Sequence, residues 1–441
     1  MKIVIIGTGY VGLVSGTCFA EIGNNVVCID KNKLIIDNLN SGIITIHEPG
    51  LPEIVKKNME EGRLNFSVSI SENISNADVI FIAVGTPRGK EDGEADLSYV
   101  FEAAEEIASL LKDDTLVAIK STVPVGTGRR VKKIISEVNS SIKVDFASVP
   151  EFLREGKAVE DFMNPDRVIV GCESEKAKLT LYDIHKSLLK SKSQFVSTTF
   201  ETAELIKYAA NAFLAVKISY INEIANLCEK VGANVEDVAH GVGLDSRIKR
   251  WGLSAGPGFG GSCFPKDTLA LAHIAAENSS QLRIVESAIT VNDSRKANVF
   301  SRVRDSLRGE LRQKKIAVLG LTYKSDTDDL RDSPSLELIP RLIEYGANVS
   351  VFDPQGMNQA KKILNNIYWA NDIYDAVKDA DAAVIMTEWE EFGPKFLNLE
   401  KLKRNLKKPL LIDFRNLFDP DIVFDYGIEY VSVGRPSRLF N

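Results

Sequence analysis

The sequence predicts an α/β fold in which two doubly wound parallel sheets are joined by one long central helix within a helical region. Three observations carry this. Apolar runs of strand length alternate with helix-length amphipathic segments. The same order of strands recurs beyond Gln313, and an apolar helical spacing runs from Thr198 to about Val231. A chain of 441 residues exceeds what one core usually serves, so two or three domains are expected. The pattern divides it into 1–197, 198–300 and 301–441.

The first strand is KIVII at 2–6, followed by a helix that ends near Gly23 and a second strand in NNVVCID. Further strands are expected at 77–84, 115–121 and 143–149, and the alternation with helices makes them parallel. The second set is KKIAVLG, ANVSVFD, ADAAVIM and PLLIDF, Rossmann-like in order, although KIAVLGLTYKS lacks the glycine pattern of a dinucleotide site. In the long helix Leu205, Ala209, Phe213, Val216, Ile221 and Ile224 keep one apolar face, and Thr198 with Glu201 is placed to form a capping box. A helix this long is expected to run between domains and to pack against a second subunit, as a homodimer or higher homo-oligomer.

Composition narrows the function. Apolar residues at 44% and charged residues at 26% are ordinary for a folded chain, and a net charge of -7 with mixed signs offers no basic stripe for nucleic acid. No apolar run reaches the roughly 18 residues a bilayer requires, and the N-terminal run is too short for a signal segment, so a cytoplasmic protein without membrane contact is expected. Cys18, Cys28, Cys172, Cys228 and Cys263 show no CxxC spacing, and His47, His185, His240 and His273 form no ligand cluster. A metal site is not expected.

Gly7, Gly9 and Gly12 form GxGxxG directly after the first strand and at the opening of a helix, and Asp30 ends the next strand. Glycines allow the backbone to approach a pyrophosphate, whose charge meets the N–H groups of the helix N-terminus. Asp30 would accept from ribose hydroxyls and repel a 2′-phosphate, which favours NAD over NADP; Lys31 and Lys33 nearby pull the other way.

A second cluster is AGPGFGGSCFPKD at 255–267, where Gly256, Gly258, Gly260 and Gly261 precede Cys263 and Pro265 is placed to start a helix. Cys263 at a helix N-terminus, with Lys266 close in sequence, has what a nucleophilic thiolate needs. The other four cysteines read as buried and inert. Lys207 and Asn211 lie one turn apart on an otherwise apolar face of the long helix. They are either a snorkelling lysine and a packing asparagine or a reactive pair.

These motifs occur with HEPGL (47–51), VGTP (84–87), KSTVPVGTG (120–128), PEFLREG (150–156), NPDR (164–167), YKSDTDDLRDSPS (323–335) and LIDFRN (411–416). In that order and over essentially the whole chain, the set resembles the UDP-glucose/GDP-mannose dehydrogenase family. The resemblance implies an NAD domain, a central dimerisation region and a UDP-binding domain. It also implies that Cys263 is the nucleophile, that Lys207 and Asn211 polarise the reacting oxygen, and that Asp267 holds a water or acts as base. Thr122 and Glu151 match further catalytic positions, with Glu151 assisting the hydrolytic water. Cofactor contacts are implied for Gly7, Gly9, Tyr10, Val11, Gly12, Asp30, Thr86, Thr122, Glu155, Lys266 and Arg331. Substrate contacts are implied for Glu151, Phe152, Leu153, Lys207, Asn211, Phe259, Gly260, Lys324, Arg415 and an Arg247 reaching across from a partner subunit. Where the family commonly has a basic residue after the ribose-binding acid this chain has Ile35, so Lys31 or Lys33 is left to serve the adenosine side.

The implied activity is oxidation of UDP-glucose to UDP-glucuronate with two NADH formed, by way of a Cys263 thiohemiacetal and thioester. Taking an alcohol to an acid removes two hydrides and adds one water, and a simple base cannot complete that. Donors aimed at the oxyanions contribute a few kcal/mol each. Sister enzymes acting on GDP-mannose or a UDP-N-acetylhexosamine are the nearest alternatives; relatives of the acetamido class tend to carry GGHC where this chain has GGSC. A two-electron hydroxyacid dehydrogenase with a similar Lys and Asn would need no cysteine, and a cofactor-sensing binding protein would leave Cys263, Lys207 and Asp267 idle.

Overall fold

Ile3 to Ile6 are buried from both faces and form the strand β1 (Lys2–Ile6). Alternation sends Ile3 and Ile5 into one apolar cluster and Val4 and Ile6 into another, so helices are needed on both sides of the sheet. The computed structural model describes residues 1–89, 93–190 and 193–440. In it β1 lies inside the first of two compact units, Met1–Ala210 with His273–Ser280.

This unit also holds β2 (Asn25–Ile29), β3 (Leu64–Ser67), β4 (Val79–Ile82), β5 (Leu116–Ile119), β6 (Asp145–Ser148), β7 (Arg167–Cys172) and β8 (Gln194–Thr198). The sheet order is β3-β2-β1-β4-β5-β6-β7-β8. Its first six strands are parallel in the doubly wound dinucleotide-binding order. β7 then runs antiparallel to β6, with β8 parallel to β7. The apolar alternation predicts the parallel part; it gives no sign of the reversal at β7, because direction within a sheet leaves no trace in side-chain pattern. β3, β7 and β8 are additions to the predicted strands.

The second unit, Asn211–Ala272 with Gln281–Asn441, is built on β9 (Lys315–Leu319), β10 (Asn348–Phe352), β11 (Tyr368–Trp369), β12 (Ala382–Ile385), β13 (Leu410–Asp413) and β14 (Glu429–Ser432). Their order, β11-β10-β9-β12-β13-β14, repeats the first six positions of the other sheet, all parallel. Asp353, after β10, stands where Asp30 stands after β2. It is 1% exposed, and its Oδ2 accepts from Leu321 N, Thr322 N, Thr322 Oγ1 and Trp389 Nε1 at 2.7–3.2 Å.

The long helix is Phe200–Val231. Thr198 is the last residue of β8, and the helix is capped one residue later, by Thr199 Oγ1 accepting from Thr202 N at 3.2 Å. The expected capping box is therefore absent, and Glu201 pairs with Arg129 instead. The stretch 194–199 is committed to strand pairing up to Thr198, which forces the cap onto the next residue.

His185 is buried in the first unit, with Nδ1 2.7 Å from Leu181 O and its ring edge-on to Phe19. Burial, followed by the charge of Lys120, pushes its pKa from 6.5 down to about 4. An unfolded chain would protonate this ring below pH 6.5 while the fold does not, so the unfolded state takes up more protons and stability falls as pH falls from 6.5 towards 4. The expected cost is about 2 kcal/mol at pH 5 relative to pH 7. Urea unfolding of His185→Leu at the two pH values should show that much of the difference removed; an unchanged difference would count against the ring as its source.

Candidate active site

In the first unit the predicted residues follow consecutive parallel strands at their carboxyl ends. Gly7–Gly12 follow β1, Thr86 follows β4, Thr122 follows β5, and Glu151–Glu155 follow β6. This is where a doubly wound sheet takes its ligand, beside the point at which strand order reverses. Gly7 has φ +99, and a Cβ on Gly12 would stand 1.9 Å from Gly7 O, so the turn closes only with glycine at both positions. The helix Tyr10–Glu21 has no side-chain cap among the described residues, which leaves its first N–H groups facing the turn. A backbone cradle and an uncapped helix start suit a pyrophosphate.

Asp30 is held in place from both oxygens: Oδ2 accepts from Thr8 N and Thr8 Oγ1, both at 2.9 Å, and Oδ1 from Asn32 N. Lys31 pairs with Glu106 and Glu102, and Lys33 with Asp37. Both lysines thus have their charge offset by acids of the same unit. Thr86 Oγ1 donates to Thr122 O at 2.9 Å, tying the β4 and β5 loops together. Val11 and Leu153 pack on the core between sheet and helices, and Glu155 is buried.

The snorkelling reading of Lys207 fails, because the residue is 3% exposed and its Nζ donates to Glu151 Oε1 at 3.1 Å. The other Glu151 oxygen accepts from Leu153 N, and the Phe152 ring lies 5.2 Å below the Lys207 ammonium. Lys120, also buried, feels both groups. Burial lowers its pKa to about 8, with Glu151 opposing and Lys207 adding to the effect. One turn before Lys207, Glu204 accepts from Gly126 N at 2.7 Å, Gly128 N at 2.8 Å and Ser148 Oγ at 2.9 Å, and so fixes the KSTVPVGTG loop from the long helix. Burial raises the Glu204 pKa against those three donors. A small cavity lined by Ser121, Pro150, Glu204 and Lys207 lies beside them.

In the second unit Cys263 caps the helix Phe264–Glu277, its carbonyl accepting from Asp267 N at 2.8 Å. Pro265 is the second residue of that helix, one later than predicted. The thiol is half-buried, 3.5 Å from Ser262 Oγ. Asp267, 1% exposed, accepts from Asn211 Nδ2 at 2.6 Å and from Lys266 Nζ at 2.7 Å. Lys266 therefore shares its charge with a carboxylate rather than standing free beside the sulfur.

The glycines before Cys263 have a structural cause. A Cβ on Gly260 would lie 2.4 Å from Asp332 O, and one on Gly261, whose φ is +84, would lie 2.6 Å from the Tyr323 ring. Gly261 N also donates to Arg331 O at 2.7 Å. The loop is pressed onto the segment 323–332, which brings Gly260, Lys324 and Arg331 into one neighbourhood with Arg415. Lys324 Nζ lies 5.6 Å over the Tyr323 ring, and Arg331 forks onto Asp329. Arg415 donates to Met386 O and Tyr323 O and pairs with Glu388. Phe259 is buried, its ring edge-on to Phe264. Arg247 is 86% exposed and forked onto Asp245.

Sequence reading missed three participants. Glu48, in HEPGL, is 3% exposed; it accepts from Gly156 N at 2.7 Å and Ala158 N at 2.8 Å and contacts the Tyr10 hydroxyl, so it ties the helix of the glycine turn to the PEFLREG loop. Glu204 and Tyr323 are the others. Glu48 and Tyr323 lie inside quoted motifs, which was the available signal.

The fold and the placement of these residues define a dinucleotide-binding α/β dehydrogenase. Residues 1–189 match the NAD binding domain of the UDP-glucose/GDP-mannose dehydrogenase family, 201–294 its central domain and 317–420 its UDP binding domain. The chain belongs to that family and is an NAD-using oxidoreductase. It is 51% identical over 439 residues to UDP-glucose 6-dehydrogenase of Rhizobium meliloti, covering 99% of this chain and 100% of the relative. Among solved structures it resembles a UDP-glucose dehydrogenase from Pyrobaculum islandicum, with 37% identity, TM-score 0.88 and 94% of each chain covered. A UDP-D-ManNAc dehydrogenase from Pyrococcus horikoshii is also similar, with 28% identity, TM-score 0.86 and 99% of each chain covered. Among the described residues no helix is long and apolar enough to cross a membrane.

Lys207 and Glu151 neutralise one another out of water, so removing one leaves a buried uncompensated charge. Lys207→Met should lose about 3–5 kcal/mol of stability in urea unfolding. Lys207→Met with Glu151→Gln should regain most of that, and a double variant no more stable than the single would argue against the pairing.

Proposed function

We propose that the chain oxidises UDP-glucose to UDP-glucuronate, forming two NADH per sugar through a covalent Cys263 adduct. The observation that carries this is the arrangement around Asp267: a carboxylate fixed by Asn211 and Lys266 on the helix whose N-cap is a half-buried thiol. A two-electron dehydrogenase has no use for that thiol. The full-length similarity to UDP-glucose 6-dehydrogenase supports the sugar. The functional division 1–197, 198–300 and 301–441 accords with the three family matches.

NAD, when bound, supplies the hydride acceptor in both oxidations; Gly7, Gly9, Tyr10, Val11, Gly12 and Asp30 would hold its adenosine diphosphate, and Thr86, Thr122, Glu155, Lys266 and Arg331 its remaining contacts. The C6 hydroxyl gives up its proton to a base held at Asp267, and the carbon becomes an aldehyde. The Cys263 thiolate adds to that carbon, forming a C–S bond and an oxyanion stabilised by the Lys207 ammonium and the Asn211 amide. Loss of the second hydride from the thiohemiacetal gives a thioester. Water, oriented by Glu151 with Thr122, attacks the acyl carbon, the C–S bond breaks, and the sulfur leaves as thiolate. The sum is one alcohol, two NAD and one water giving one carboxylate, two NADH and three protons. Phe152, Leu153, Phe259, Gly260, Lys324 and Arg415 would hold the UDP-sugar.

A dimer fits the helix surface. Phe213, Tyr220 and Leu227 recur every seven residues and are 65%, 52% and 54% exposed, an apolar stripe that a second copy would cover. Arg247 of that copy would complete the substrate site. Cytoplasmic location suits five cysteines that are all free.

Wild-type protein should yield two NADH per UDP-glucose consumed, against one for a hydroxyacid-type enzyme, and a panel with GDP-mannose and UDP-N-acetylhexosamines should favour UDP-glucose. Cys263→Ser should stall as a slow ester or at the aldehyde; uronate formation at the wild-type rate would refute the covalent route. Phe213→Asp should move the sedimenting species from dimer to monomer, and an unchanged dimer would place the interface elsewhere.

A further inference from the structure

The loop that leads to Cys263 is buried from Ala255 to Gly261 yet belongs to no helix or strand. Buried backbone groups without ladder partners must find others, because leaving them unpaired out of water is costly. Here side chains of two helices supply them. Gly256 N donates to Asn222 Oδ1 at 2.9 Å, and Gly256 O accepts from Arg295 Nε at 2.8 Å. Phe259 N donates to Asn292 Oδ1 at 2.7 Å, and Phe259 O accepts from Asn292 Nδ2 at 3.1 Å. The Asn292 amide thus pairs with Phe259 as a neighbouring strand would, using both its donor and its acceptor.

The grip is tight and well supported. A Cβ on Gly258, whose φ is +110, would come within 3.0 Å of Asn292 Oδ1, so side chain and loop are in direct contact. Arg295 is 4% exposed and anchored by Asn226 Oδ1 at 2.6 Å. Asn292 is 3% exposed. Asn222 and Asn226 come from the long helix, Asn292 and Arg295 from the helix Arg283–Ser306. Neither Asn292 nor Arg295 is needed by the chemistry set out above.

We propose that Asn292 and Arg295 are positioning residues for the nucleophile: by pairing with Gly256 and Phe259 they fix the course of the loop and hence where the Cys263 sulfur emerges at its helix N-terminus. The proposal rests on Cys263 being the nucleophile. It also assigns Phe259 a restricted part in substrate binding, through its ring, because its N–H and C=O are both engaged by Asn292.

The first test needs no variant and no turnover. In wild-type protein, hydrogen exchange resolved within 255–262 should show the Phe259 and Gly256 amides strongly protected; rapid exchange at Phe259 would overturn the proposal. Then Asn292→Asp, which sets a carboxylate oxygen against Phe259 O, and Asn292→Ala should each lower kcat at least tenfold. They should also alter the rate and pH profile of Cys263 carbamoylmethylation, read by peptide mass, while the dissociation constant for NAD stays within twofold. Arg295→Met should act in the same direction. Folded Asn292 variants with kcat and alkylation profile both within twofold of wild type would overturn it. If the Asn292 variants do not fold, exchange in the wild-type protein decides. If wild-type protein leaves UDP-glucose unoxidised, exchange and alkylation still decide, so the two readings fail separately.

Discussion

Four polar side chains buried on the long helix are each met by a partner, and those pairings organise the loops around it. Glu204 takes the N–H groups of Gly126 and Gly128. Lys207 takes the Glu151 carboxylate, Asn211 the Asp267 carboxylate and Asn222 the N–H of Gly256. Loops that follow strands, or that precede the cysteine helix, would otherwise wander over the surface. Each is fixed because one helical position would be left unsatisfied without it. Burial makes the requirement strict: all four residues are 6% exposed or less. The placement of these loops is in this sense the satisfied hydrogen-bonding needs of one helix.

The two sheets share a strand order and differ in use. Asp30 stays partly open, with Thr8 and Asn32 orienting it. Asp353, at the same topological place, accepts four bonds on one oxygen and lies beneath Trp389. An acid after the second strand is left partly open in one unit and serves as internal fastener in the other. The glycine pattern that follows β1 has no counterpart in GLTYKS after β9.

What the sequence made legible was local. The GxGxxG turn, the cysteine at a helix start and the Lys207–Asn211 face all depend on sterics or on spacing within a few residues, and the alternation of apolar runs places most strands. The contacts that were not legible join distant parts of the chain: Glu48 meets Gly156 across 108 residues, Glu204 meets Gly126 across 78 and Asn292 meets Phe259 across 33. A buried glutamate or asparagine looks in sequence like any solvated one, because the difference lies wholly in what the fold brings to it. Thr198 shows the converse error: a sound local signal for a cap was outbid by strand pairing that reaches the same residue.

Trp389, whose indole N–H is spent on Asp353 and Thr322, has a spectroscopic consequence. The sequence holds three tryptophans, Trp251, Trp369 and Trp389, and all of them fall in the second unit. Indole emission therefore watches that unit alone. Trp389, 4% exposed beside a carboxylate, should differ in colour from Trp251 at 42% exposure. The unit with the glycine turn is dark at that wavelength, so the melting of the second unit can be followed by itself without a label.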